Sequence, residues 1–171
     1  MATYTWYNGG PGIQHHIPGE APYRANISLP NLMAGTGNLL ANTSNVQQSL
    51  TSGFTAADIL QVFEVKKGFV LTPLVGAYVT TTEGDTCTAD IGNSSATQTH
   101  RLASNPDGYM GTFNLNSAVA QITLIADEDL GGSTYQGVVF ITDGTIDITF
   151  GHNTDAAVFD VFACGFQCFY G

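Results

Sequence analysis

A chain of 171 residues suits one domain and is too short for two complete enzyme domains. Fourteen acidic residues against four basic ones give a net charge of -10, too few cations to neutralise phosphates, which excludes nucleic acid and disfavours an anionic membrane surface. Only 11% of residues are charged while 43% are hydrophobic, so the exterior relies on Thr, Ser, Asn and Gln, and part of it is expected to be covered by other subunits.

Residues 1–57 are rich in Gly, Pro, Asn and Ser and carry only two charges, Glu20 and Arg24. Disordered tails are highly charged and poor in aromatics, whereas this stretch holds Tyr4, Trp6, Tyr7, Tyr23 and Phe54. It reads as an extended, adhesive N-terminal arm, with a boundary near Phe54–Asp58 and a second unit over 58–171. Within the arm, the spacing of Leu39, Leu40, Val46 and Leu50 is too loose to specify a helix.

From Asp58 onwards, short runs of Val, Ile, Phe and Thr are separated by Gly, Asp and Asn, the pattern of strands and turns. Strands are predicted over Ile59–Val65, Phe69–Thr82, Thr86–Ile91, Ile122–Ala126, Gly137–Thr142, Thr145–Phe150 and Ala157–Ala163, with a weaker one around Gly111–Leu115. The alternation in Thr145–Phe150 places Ile146, Ile148 and Phe150 on one face and polar residues on the other, predicting a half-buried strand. Asp143-Gly144 just before it predicts a two-residue type I′ hairpin. Lys66-Lys67-Gly68, Glu83-Gly84-Asp85 and Gly151-His152-Asn153 read as further turns. Seven or eight antiparallel strands without a long amphipathic helix predict an all-β fold, an antiparallel β-sandwich of jelly-roll type. No run of about 18 apolar residues and no basic-then-apolar leader is present, so the chain reads as neither membrane-spanning nor bearing an N-terminal secretion signal.

Chemistry is sparse. Cys87, Cys164 and Cys168 lie in or beside apolar runs and read first as buried reduced thiols, with a Cys164–Cys168 disulfide or a metal role as alternatives. His15 and His16 are adjacent and point to opposite sides of an extended segment, so they do not readily share a metal with each other, and His100 or His152 could join only through the fold. Asp127-Glu128-Asp129, with Asp143 and Asp147, reads as a solvated acidic loop rather than a calcium site. Gly-x-Ser-x-Gly, the dinucleotide fingerprint, Gly-Lys-Ser/Thr and His-Glu-x-x-His are all missing, so neither a catalytic residue nor a cofactor is expected. The sequons at Asn26, Asn42 and Asn93 matter only in a eukaryotic secretory pathway.

The stretch from Asp58 through the Lys66-Lys67-Gly68 turn to Leu71, followed by Val75–Val79 and by Thr80 through Glu83-Gly84-Asp85 to Asp90-Ile91-Gly92, resembles small virion proteins of tailed bacteriophages. Asp143 to Phe150 and Val158 to Ala163 are similar to that family's closing strands. The resemblance covers roughly residues 58–163. It implies a non-enzymatic capsid decoration or cement protein, bound to the outside of the virion, made in the host cytoplasm and present in multiple copies or as a homo-oligomer. Its partner would be the major capsid protein, held by many weak, repeated contacts. The arm would supply Trp6, Tyr7 and Tyr23 as anchors, either on the capsid or folded back onto the chain's own sandwich. Other head-fibre or tail roles, a carbohydrate-binding module and a small hydrolase using the Asp127–Asp129 loop stay open.

Overall fold

The computed structural model describes residues 2–5, 23–35, 40–42, 47–48, 50–99, 104–124 and 137–168. In chain order the elements are β1 (Thr3–Thr5), β2 (Tyr23–Ser28), a single short helix α1 (Leu29–Met33) among the described residues, β3 (Leu40–Asn42), β4 (Gln47–Gln48), β5 (Ile59–Val65), β6 (Phe69–Thr81), β7 (Thr88–Asn93), β8 (Asn105–Asn114), β9 (Ala120–Leu124), β10 (Val138–Val139), β11 (Gly144–Phe150) and β12 (Val158–Gln167). They form two packed sheets. The larger runs β4-β3-β1-β5-β11-β7-β8; the smaller runs β10-β6-β12-β2, with β9 also paired to β6. The fold is an all-β sandwich.

Four antiparallel pairings nest inside one another. Strand β2 pairs with β12, β5 with β11, β6 with β9, and β7 with β8. The chain therefore changes sheet at most of its connections. Lys66-Lys67-Gly68 carries it from β5 to β6 with Gly68 at φ +84, a backbone conformation that favours glycine, and Phe69 donates its N–H back to the Lys66 carbonyl at 2.9 Å.

Asp143-Gly144 corrects the hairpin expectation. The strands flanking it belong to opposite sheets, β10 pairing with β6 and β11 with β5, and Gly144 does not adopt positive φ. A different set of bonds fixes this turn: the Asp143 carboxylate accepts from the Lys67 backbone N–H at 2.9 Å and from the Lys66 ammonium.

Between the sheets lies an apolar core in which Phe54, Phe69, Phe113, Phe140, Phe150 and Phe159 are fully buried. Phe54 stacks on Phe150 with ring centroids 4.3 Å apart, and Tyr4 meets Phe54 edge-on at 5.2 Å. A bulge in β5 against β11 lies between Ile146 and Asp147, whose partners are Phe63 and Gln61, so Val62 is skipped. It lets both Val62 and Phe63 stay buried, which strict alternation would forbid.

The described segments of residues 1–57 are strands and core of the same sandwich. Thr3–Thr5 runs parallel to Ile59–Gln61, and β2 closes an edge of the smaller sheet. In β2 the alternation is clean, with Ala25 and Ile27 buried and Arg24 and Asn26 exposed. Leu29, Leu32, Leu50 and Phe54 join them in the core. Asp58 ties this part of the chain down: its carboxylate accepts from Ala2 N–H at 2.6 Å and from the Thr55 N–H and hydroxyl at 2.9 and 2.8 Å. Burial pushes the Asp58 carboxyl up, but the bonds from Thr55 and Ala2 outweigh it and hold the group below its ordinary value.

Candidate functional site

Of the three expected anchors, Trp6 and Tyr7 lie outside the described residues, and Tyr23 begins β2 opposite Ala163 on β12. The acidic run Asp127–Asp129 and His15, His16 and His100 likewise lie outside them. Among the described residues, Cys87, Cys164 and Cys168 form no disulfide. Cys87 alone is fully buried, whereas Cys164, at an outward position of β12, and Cys168, just past its end, are half-buried. Burial, then the charges of Glu83 and Asp85, push the Cys87 thiol up to about 11, so it is a poor nucleophile.

Two features stand out. The first is the outward face of the smaller sheet. Registers place two rows across its strands: Ala120, Tyr78, Asp160 and Asn26 in one, and Ile122, Gly76, Phe162 and Arg24 in the next. Ile122 is 61% exposed, Tyr78 44%, Leu74 37% and, further along β12, Phe166 51%. Gly76 has no side chain for a reason: a Cβ there would stand 2.3 Å from Cζ of Phe162, whose ring lies across the strand. The ring fills the gap between β12 and β9 and leaves a level apolar surface. At its β2 side, Arg24 donates to the Asp160 carboxylate at 2.7 Å and Asn26 donates to its other oxygen at 2.9 Å. Among the described residues, the charges on this face thus cancel one another.

Sequence reasoning singled out none of these apolar residues as a contact surface, although the signal was present. In an antiparallel sandwich a strand with one solvated face alternates polar and apolar, yet β6 and β12 read apolar on both parities. Such strands are covered on both faces or leave one apolar face bare.

The second feature is Asp147 on β11, which corrects the expectation of a half-buried strand with a solvated polar face. Asp147 is 1% exposed and Thr145 only 6%. Chain segments lie over this face of the larger sheet. The Ser94 N–H donates to Asp147 Oδ2 at 2.9 Å and the Ser94 hydroxyl donates to the same oxygen. Gln98 accepts from the Thr145 N–H at 3.3 Å. Across from Asp147 stands Gly92, where a Cβ would lie 2.1 Å from the Asn105 carbonyl oxygen and 2.5 Å from that of Pro106, so the start of β8 passes directly over it. Among the described residues, Asp147 Oδ1 and the Thr149 hydroxyl have no hydrogen-bond partner. Burial pushes the Asp147 carboxyl up, and the bonds from Ser94 and Thr145 only partly offset it.

Chemically, this carboxyl lacks a companion. The nearest outward groups are Gln61, Gly92 and Asp90 on neighbouring strands and Thr145 on its own, and Asp90 is committed to the Thr112 N–H at 2.5 Å. It does the work of a buried polar clamp on the 94–99 segment. The open apolar face is the better candidate for contact with another molecule. No protein-family model matches the chain, and no curated protein is significantly similar to it.

Proposed function

We propose that this protein is a non-enzymatic component of a large assembly, specifically a capsid decoration or cement protein that binds the major capsid protein lattice from outside. The observation that carries the reading is the bare apolar face formed by Leu74, Tyr78, Ile122 and Phe166 on a chain with only 11% charged residues. A sandwich that leaves such a face open has unfinished burial, and companions complete it.

Strand order adds support. The nested pairs β2–β12, β5–β11, β6–β9 and β7–β8 are those of one long hairpin wrapped on itself, which we read as a jelly roll, an architecture used by viral capsid domains. The stretches that resemble phage virion proteins fall largely on β5, β6, β7, β11 and β12, the middle of both sheets. Lectins share the architecture, but the open face carries no built polar pocket among the described residues.

The decisive experiment compares particles with and without the protein. Shells lacking it assemble but burst at lower temperature or internal pressure, and adding the purified chain restores the threshold. Equal thresholds remove the cementing role, and specific capture of glycans by the isolated chain redirects the reading to a carbohydrate-binding module.

A further inference from the structure

Residues 94–97 leave the end of β7 and bury no side chain: Ser94 and Ser95 are half-buried, Ala96 and Thr97 exposed. Hydrogen bonds hold them instead. The Ser94 N–H donates to Asp147 Oδ2 at 2.9 Å and its hydroxyl to the same oxygen, the Asn93 amide donates to the Ser95 carbonyl at 2.9 Å, and the Thr142 hydroxyl donates to the Thr97 carbonyl at 3.1 Å. Beyond them the chain is fixed again, by the Ile141 N–H on the Gln98 carbonyl at 2.9 Å and by the buried Thr99. A segment without buried apolar contacts is the part of a fold that opens most readily. We propose that residues 94–97 form a proton-held strap: a proton on Asp147 keeps it closed, and losing that proton opens it and bares the outer side of β11. This stands apart from the reading of the chain as an assembly component.

The surroundings of Asp147 decide what a charge there costs. The carboxyl is 1% exposed, and Oδ1 has no hydrogen-bond partner among the described residues. Opposite it on β7 is Gly92, and the carbonyl oxygens of Asn105 and Pro106 lie 2.1 and 2.5 Å from where a Gly92 Cβ would stand. Cross-strand Cβ positions are about 5 Å apart, so these partial negative charges fall within about 8 Å of the Asp147 Cβ. The charged residues on the strands packed beside it are all acids: Glu64 on β5, Asp90 on β7 and Asp107 on β8. Glu64 is paired with Lys66 at the turn, and Asp90 accepts from the Thr112 N–H. The Tyr109 hydroxyl on β8 donates to Asn93, and His152 lies past the end of β11 against Thr88.

An ionised Asp147 under the closed strap therefore sits out of water among acceptors and acids. With the strap open the same carboxylate meets solvent and ionises as an ordinary aspartate. Burial outweighs the bonds from Ser94 and Thr145 and holds the closed-state value above 3.8. The strap is thus firmest below 3.8 and loosens as pH rises through the closed-state value. Across that window the open form, a minor state, grows by up to about tenfold per pH unit.

Amide hydrogen exchange followed by NMR from pH 4 to 8 tests this. Rates are read as protection relative to an unstructured chain at the same pH, which removes the intrinsic pH dependence of exchange. The Ser94 N–H reports directly, because it donates to the carboxyl. Its protection is expected to fall with rising pH, by up to about tenfold per unit, and then to level off. It should also stay at least tenfold below that of Ile148 in the middle of β11, which marks opening without unfolding. In Asp147→Asn, where Asp90, Asp107 and Glu64 still titrate, the Ser94 protection should lose this dependence. Wild-type protection at Ser94 that is flat with pH overturns the proposal, as does exchange at Ser94 in step with Ile148, and neither result needs the variant. An Asn variant that keeps the wild-type pH dependence overturns it as well.

Discussion

Replacing Asp147 by Asn changes the pH dependence of stability in a direction the structure fixes. The carboxyl is 1% exposed, Ser94 serves one oxygen and the other has no partner among the described residues. Its folded value is raised above 3.8, so over the window just above 3.8 the folded state holds a proton that the unfolded chain has released. By linkage, the group's contribution is fully present below the unfolded value and is lost as pH rises through the folded value, with a slope of up to about 1.4 kcal/mol per pH unit. Asn keeps the shape and the acceptor for Ser94 and cannot ionise. Measured by urea unfolding at successive pH values, the stability of Asp147→Asn minus that of the wild type should therefore climb from pH 4 upward and then level off. Taking the difference cancels the general self-repulsion of a chain at -10, which both proteins share. Ser94→Ala removes a donor to the carboxyl and should extend the climb to higher pH. A difference that stays flat between pH 4 and 8 would refute the account of Asp147 as a buried acid.

Three further outcomes follow from single positions. Thr112, whose N–H donates to the Asp90 carboxylate, sits at φ +56, where a β-branched residue is strained, so Thr112→Gly should stabilise by about 1 kcal/mol in thermal or chemical unfolding. Phe54→Ala empties a fully buried site against Phe150 and Tyr4 and should cost about 3–5 kcal/mol by the same measurement; a loss under 1 kcal/mol would mean that this segment does not belong to the core. The Glu83 carboxylate accepts from the backbone N–H groups of Asp155, Ala156 and Ala157, at 2.7 to 3.2 Å, so Glu83→Ala should cost about 2–3 kcal/mol and speed amide exchange at those three residues.

What the sequence disclosed depended on whether a signal was local. Strand β5 begins and ends where the run Ile59–Val65 predicts, and β11 extends its run by one residue, because in both cases β-branched and aromatic residues end at a turn set by nearby bonds. Asp143-Gly144 misled because a two-residue turn is compatible both with a hairpin and with a change of sheet, and the choice is made by long-range pairing of β10 with β6. Strand β2 was hidden by its setting: Arg24, Ala25, Asn26, Ile27 alternate in the manner of an edge strand, but Gly- and Pro-rich neighbours drown the pattern. The burial of Asp147 was beyond local reading altogether, since Ser94 and the start of β8 reach it from 53 and about 40 residues away.

The open face and the clamped carboxyl follow from the same topology. Nesting the strand pairs puts β11 in the interior of the larger sheet, where chain segments cross over its outer side, and puts β12 between β6 and β2 on the smaller sheet, where its outward Phe166 is exposed and its outward Phe162 half-buried. On the first sheet, Thr145, Asp147 and Thr149 face those segments, so polar groups are buried and must be satisfied internally. On the second, Phe162 and Phe166 occupy the corresponding outward positions of β12, Phe162 half-buried and Phe166 exposed, so apolar surface is left open. A stand-alone domain is favoured by the reverse assignment, polar residues outward and apolar ones beneath the cover. The arrangement observed makes sense where the smaller sheet's outer face is covered by a second molecule, which is why substitutions at Ile122 and Phe166 should leave folding untouched and act on association alone.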